Sequence, residues 1–290
     1  MDGDRRCVYQ AAMVHIAVCA PSRPLPRADA DRLATLVADY PRLSLQLHEQ
    51  CFAEDGHMAG TDEARVAAFV ECADDPAVDV VWFARGGYGA GRMAEDAVAR
   101  LGPAARTKQY CGYSDGGTLL AALYRAGIGQ PVHAPMPSDL AREQGERAVR
   151  RALEWLEGDC DGLEPSLADA GVPVVAFNLM TLAMVQGTPL MPDLAGHVVM
   201  VEEVAEYAYA VDRLLFHVVP ALAAMGAAGL RLGRVTQVPE NDRPFPHTPE
   251  AMARHWCARA GLPYLGAADI GHDADNRIVP FGLAGCARGQ

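Results

Sequence analysis

Apolar residues along this chain follow two habits. Runs such as residues 14–20 and 78–84 are apolar at almost every position and stop at glycine- or proline-rich turns, the habit of strands buried on both faces. Between them, residues 29–38 carry Ala30, Leu33, Leu36 and Val37 on one helical face. Residues 62–72 do the same with Ala64, Val66, Ala67, Phe69 and Val70, behind Thr61 as a helix cap. A strand-like piece at 43–48, a helix from about 92 to 101 and a short strand around 109–111 complete the alternation. Strand, helix, strand, helix predicts an α/β fold: a parallel sheet with crossover helices on both faces.

The pattern changes after residue 157. Residues 144–156 read as an amphipathic helix with an exposed basic face, and 157–173 are rich in Gly, Asp and Pro. The predicted division is a first domain over 13–157, a linker over 158–173 and a smaller mixed α/β domain over 174–290. In the second domain the periodicity predicts strands at 172–177, 196–203, 230–237 and 264–270, helices at 179–185, 209–225 and 248–260, and closing strand material at 278–282. The strand at 196–203 runs directly into two carboxylates, Glu202 and Glu203, and the strand at 264–270 runs into Gly271-His272.

Composition narrows the chemistry. Half of the 290 residues are hydrophobic, enough for a sizeable core. A net charge of −12 without a Lys/Arg cluster argues against nucleic acid or an anionic membrane surface and favours small-molecule or peptide partners. No run is read as long and apolar enough to span a membrane. Arg5-Arg6 before an apolar stretch superficially resembles a signal peptide, but cleavage there would remove the first core strand, so a cytoplasmic protein is expected, with residues 1–12 a loose extension before Met13. The eight cysteines lack a CxxC pair and read as reduced, mostly buried thiols; no metal site and no organic cofactor is expected.

The chemistry concentrates at three strand ends. Gly112-Tyr113-Ser114-Asp115-Gly116 has the spacing of a nucleophile elbow, a strand-to-helix turn that pushes a serine hydroxyl outward; an ordinary βα turn uses the same residue types. Gly87-x-Gly89-x-Gly91 departs from a dinucleotide fingerprint because its third glycine comes one position early, and at the same sheet edge it can supply a backbone N–H for an oxyanion. Ser114, Glu202 and His272 each sit just past an apolar strand, in an order compatible with nucleophile, orienting acid and base. Taken singly, each also reads as a structural residue.

Read together, these motifs resemble the LD-carboxypeptidase family of serine peptidases, which includes muramoyl-tetrapeptide carboxypeptidases and microcin-immunity proteins. The resemblance runs through Ala20-Pro21-Ser22, residues 58–65, Ala84-Arg85-Gly86-Gly87-Tyr88-Gly89, Gly112-Tyr113-Ser114-Asp115 and His133-Ala134-Pro135-Met136. It continues through Asn178-Leu179, Gly187-Thr188-Pro189, residues 201–206, Asp212-Arg213, Gly271-His272 and Pro280-Phe281-Gly282. It implies a flavodoxin-like parallel-sheet domain joined to a smaller mixed domain, with the site in the cleft between them. It implies Ser114 as nucleophile, Glu202 as triad acid in preference to Glu203 and Glu206, His272 as base, and the N–H groups of Gly87 and Asp115 as oxyanion hole. It implies hydrolysis of an LD-peptide bond in a murein peptide-like substrate, without cofactor or metal, by a homodimer. Ala134, Ala176-Phe177 and Gly116-Gly117 depart from the family pattern in ways that bear on pocket shape, and the short 157–173 connection favours the murein branch over the microcin branch. An α/β-hydrolase-type esterase or amidase, and a same-fold binding protein that has lost turnover, are the rival readings.

Overall fold

In a computed structural model, which describes residues 13–282, the chain alternates as the periodicity predicts. The first half runs β1 (Val14–Cys19), α1 (Arg27–Val37), β2 (Leu43–Leu47), α2 (Asp62–Asp74), β3 (Val80–Phe83), α3 (Ala90–Ala99), β4 (Gln109–Gly112), α4 (Gly117–Ala126), β5 (Gln130–His133) and α5 (Gly145–Leu156). The second half runs β6 (Val174–Asn178), α6 (Leu179–Val185), β7 (Val198–Val204), α7 (Ala208–Met225), β8 (Gly229–Thr236), α8 (Pro249–Ala260), β9 (Tyr264–Ala267) and β10 (Val279–Pro280). Local chemistry sets several of these ends. Thr61 accepts the Ala64 N–H at the start of α2, Thr248 accepts the Ala251 N–H at the start of α8, and Gly127 closes α4 in the left-handed conformation.

Two sheets form. In the first the strand order is β2-β1-β3-β4-β5-β10, parallel except for β10. Period-two alternation sorts its side chains between two cores. Ile16, Val18, Val80 and Trp82 face α1 and α5, while Ala17, Cys19, Val81 and Phe83 face α2, α3 and α4. The second sheet is all parallel, in the order β6-β7-β8-β9. Its buried face merges with the core on the α4 side, so the two sheets share one continuous apolar interior.

Four details differ from the sequence reading. The strand material near the end of the chain leaves the second half and pairs antiparallel with β5, Val279 opposite His133 and Pro280 opposite Val132. An edge position suits Pro280, which has no N–H to offer a further strand. On α5, Arg147 is exposed as expected and Arg150 is half-buried, but Arg151 is buried and donates to the carbonyls of Ala274 and Asn276. Cys160 is disulfide-bonded rather than reduced, whereas Cys19, Cys51, Cys72, Cys111 and Cys257 are free and buried. Finally, α7 at 18 residues and a mean hydropathy of 1.3 is long and apolar enough to cross a membrane by length and composition. It packs against α6 and α8, burying Val211, Leu215, Val218, Val219 and Leu222.

Candidate active site

Ser114 stands where β4 hands over to α4. Its φ of 57° is a left-handed conformation that a residue with a Cβ adopts only under constraint, so the serine is held in a strained turn. The flanking glycines serve a different need. A Cβ on Gly112 would fall 2.5 Å from Phe83 Cδ2, and one on Gly116 2.9 Å from the same atom, so both lie flat against Phe83 of the neighbouring strand. The strain therefore sits on the serine and the glycines provide clearance. From the adjacent β3 loop, Gly86 closes in: a Cβ there would be 2.9 Å from Ser114 Oγ. Gly87 follows at φ 115°, and among the described residues neither its N–H nor that of Asp115 donates to a backbone acceptor.

The elbow is tied down from beneath. Asp115 Oδ2 accepts from Ser22 Oγ at 2.5 Å and from the Ala90 N–H at 2.9 Å, linking the turn to the β1 loop and to the start of α3. Burial raises the Asp115 pKa, and the two hydrogen bonds oppose that rise. From the first turn of α6, Thr181 Oγ1 donates to the Ser114 carbonyl at 3.1 Å.

The carboxylate pair on β7 separates by strand geometry. Successive strand residues point to opposite faces, so Glu202 and Glu203 cannot reach the same partner. Glu202 Oε2 meets His272 Nδ1 at 2.6 Å with both side chains buried. Glu203 turns the other way, toward the start of α6, and accepts from Asn178 Nδ2 at 2.7 Å and from the Met180 N–H at 2.8 Å. Burial raises the Glu203 pKa, with these hydrogen bonds opposing. The β7–β8 register slips between Val201 and Glu203, opposite Gly233, where a Cβ would come within 2.9 Å of Glu202 Cβ and 2.7 Å of the Ile270 carbonyl. This irregularity gives Glu202 its room.

With a carboxylate at Nδ1, the His272 ring holds its proton there and leaves Nε2 as an acceptor. Ser114 Oγ forms no hydrogen bond to it, so the hydrogen-bonded chain among the described residues runs from Glu202 to the imidazole and stops there. Tyr113 packs between the two halves of the site, its ring centroid 4.6 Å from that of His272 and 5.3 Å from that of His133. Its hydroxyl donates to Asp139 at 2.7 Å, and burial raises its pKa well above the usual phenol value. Arg142 completes this support: Nε donates to Asp139 at 2.9 Å and Nη1 to the His272 carbonyl at 3.2 Å. His133, buried and with its pKa lowered by burial, bonds Asn276, which also receives the Gly271 N–H. A cleft of about 650 Å³ opens beside His272, lined by Arg142, Gln144, Thr236 and Asp273 among others. Among the described residues no three His, Cys, Asp or Glu side chains converge as metal ligands.

Sequence reasoning missed the supporting residues Ser22, Asp139, Arg142 and Asn276 as members of the site. Ser22 lies in a motif quoted for the family resemblance, but the roles of Asp139, Arg142 and Asn276 depend on contacts across more than one loop and leave no local pattern.

A strained serine at the carboxyl end of a parallel sheet, with a buried carboxylate–imidazole pair packed against its neighbour Tyr113, describes a two-sheet α/β peptidase. Residues 16–134 match the LD-carboxypeptidase N-terminal domain and residues 172–286 the LD-carboxypeptidase C-terminal domain. The chain belongs to the LD-carboxypeptidase family and is a peptidase. Among curated relatives, the murein tetrapeptide carboxypeptidase of Pseudomonas aeruginosa is 27% identical over 91% of this chain and 92% of its own length. Among solved structures, muramoyltetrapeptide carboxypeptidase from Oxalobacter formigenes superposes with a TM-score of 0.74 at 25% identity, covering 93% of each chain. The microcin C7 self immunity protein MccF, solved in complex with glutamyl sulfamoyl guanosine, shares the fold with a TM-score of 0.75 at 16% identity, covering 96% of this chain and 93% of that one.

Proposed function

We propose that this protein is a serine carboxypeptidase that cleaves an LD-peptide bond, releasing a terminal D-Ala from a murein tetrapeptide-like substrate. Ser114 Oγ attacks the carbonyl of the L-configured centre, such as that of meso-diaminopimelate, while His272 Nε2 takes the hydroxyl proton. The oxyanion that forms draws on the free N–H groups of Gly87 and Asp115. As the tetrahedral species collapses, the C–N bond breaks, His272 returns the proton to the departing amine, and the acyl group stays on Ser114. Water then repeats the sequence, with His272 as its base, and frees the acid. Glu202 stabilises the imidazolium through both halves. The proposal extends to a homodimer, for which Tyr207, just before α7, and Tyr209 and Phe216 on it offer exposed apolar surface; sedimentation equilibrium reads the mass directly, and a monomer at micromolar concentration would count against it.

The observation that carries the reading is the buried 2.6 Å contact between Glu202 of β7 and His272 of the loop after β9, whose imidazole packs against Tyr113, the residue before Ser114. Replacing Ser114 with Ala is expected to lower kcat by about 10⁴-fold or more while the circular dichroism spectrum stays that of the native chain. Full D-Ala release by that variant would falsify the serine mechanism. A fluorophosphonate that labels Ser114 separates a peptidase or esterase from a same-fold binding protein, and a panel of LD-peptides against esters then divides the first two.

A further inference from the structure

Most arginines in this acidic chain have an obvious use. Arg65 is fully buried and spends its guanidinium on the carbonyls of Pro21 and Gly89, on Met58 Sδ and on Asp62. Among the described residues, Arg85 and Arg23 differ in having no acidic partner in contact. Arg85, half-buried directly before Gly86 and Gly87, makes one long hydrogen bond, from Nη1 to the Pro24 carbonyl at 3.4 Å, and no ion pair. Asp29 draws on it electrostatically without contact, being engaged instead with Arg32 at 3.8 Å. Arg23, also half-buried, lies across Gly87 so closely that a Cβ on that glycine would fall on its Cγ and Cδ, and it makes no hydrogen bond or ion pair. Burial lowers the Arg85 pKa, and the charges of Arg23 and Arg142 lower it further. Like charges therefore gather around a loop in an acidic protein, and among the described residues no carboxylate enters ion-pair contact with Arg23 or Arg85.

The location is informative. Gly86 is close enough to the nucleophile that a Cβ on it would fall 2.9 Å from Ser114 Oγ, and Arg142, the third member of the group, donates to the His272 carbonyl. The cations thus rise from the loops after β1, β3 and β5, at the carboxyl edge of the sheet that carries Ser114. A partly desolvated guanidinium with free donors is costly unless an anion completes it, and its planar fork matches a carboxylate. In a carboxypeptidase substrate one carbon separates the scissile nitrogen from the terminal carboxylate, so the group that reads that carboxylate must stand within a side chain's length of the nucleophile.

We propose that Arg85, assisted by Arg23, binds the terminal carboxylate of the substrate and so confines cleavage to the last residue of the peptide. This inference rests on the carboxypeptidase reading above. Arg142, already neutralised by Asp139, adds positive potential from the His272 side. Internal peptide bonds, which have no carboxylate at that distance, leave the cations unpaired and are rejected.

The test uses the full chain carrying Ser114→Ala, which holds substrate without turnover. Isothermal calorimetry compares a tetrapeptide ending in diaminopimelyl-D-Ala with its C-terminal carboxamide. The acid should bind about 10- to 100-fold more tightly than the amide, as expected for a charge-assisted contact. Adding Arg85→Gln should collapse that ratio to within about 3-fold, and Arg23→Gln should reduce it several-fold. Equal binding of acid and amide by the parent, or a ratio kept intact in both arginine variants, overturns the proposal. If Arg85→Gln loses its near-UV circular dichroism, Arg23→Gln alone carries the comparison. Should the Ser114→Ala chain still release D-Ala at full rate, the serine mechanism fails separately. The acid-to-amide ratio is then read from kcat/KM in chains with Ser114 intact.

Discussion

Ser114 combines two demands on one residue: a hydroxyl exposed to substrate and a backbone that only glycine adopts freely. Its left-handed φ stores about 1 kcal/mol that the native fold must offset. Ser114→Gly should therefore unfold in urea with about 1 kcal/mol more stability than Ser114→Ala, since both lack the hydroxyl and only alanine keeps the strain. Equal stabilities would place the strain elsewhere. Asp115, next along, gives a pH test. Burial raises its folded pKa above that of the unfolded chain, so its contribution to stability is fully present below an unfolded value of about 3.9 and declines as pH rises toward the folded value. Only Oδ2 accepts from Ser22 and Ala90, so Asp115→Asn can keep both bonds with its amide oxygen. Relative to the parent, that variant should gain stability as pH is raised from about 4 to 7. A variant that loses ground over the same range would show the buried carboxylate to be favourable when charged.

At the scale of elements, β7 shows how secondary structure sorts chemistry. Its seven residues deliver one carboxylate to His272 and the next to the first turn of α6, and the irregularity opposite Gly233 opens space for the first. Gly233→Ala is accordingly expected to cost about 1–3 kcal/mol and to lower kcat/KM by at least about 10-fold by pushing Glu202 or Ile270 aside. Urea unfolding and steady-state turnover read the two effects. That an apolar strand ends in two acids was legible from periodicity. The choice between them was not: the family resemblance favoured Glu202, whereas the physical separation depends on which face of β7 turns toward β9 and the loop beyond it. The roles of the glycines at 112 and 116 were likewise half-legible, because their spacing marks a tight turn but Phe83, on another strand, supplies the reason for it.

At the scale of the molecule, the two sheets are not independent. β10 closes the first sheet from the far end of the chain, and Gly117 at the head of α4 lies against Phe177 and Thr181 of the second half. A fragment of residues 13–173 should therefore expose the α4 face and the β5 edge. It is expected to associate or melt well below the full chain, as seen by size-exclusion chromatography and circular dichroism; a monomeric fragment melting with the full chain would contradict a shared core. The amino-acid sequence by itself determined the strand–helix alternation, the cap at Thr61, the two glycine-rich turns and the strand-to-helix turn carrying Ser114, because each is written in contacts within a few residues, whereas Glu202 lies inside β7 and β9 stops at Ala267, five residues short of His272. Tertiary structure supplied the physical reason that Glu202 and not Glu203 meets His272, which only the family resemblance had implied, and it alone decided that β10 joins the first sheet, that Asp139 anchors Tyr113 and Arg142, and that Arg23 and Arg85 converge with no acidic partner in contact among the described residues. Those outcomes depend on register and approach between segments tens to hundreds of residues apart, which no local pattern of hydrophobic and polar positions encodes.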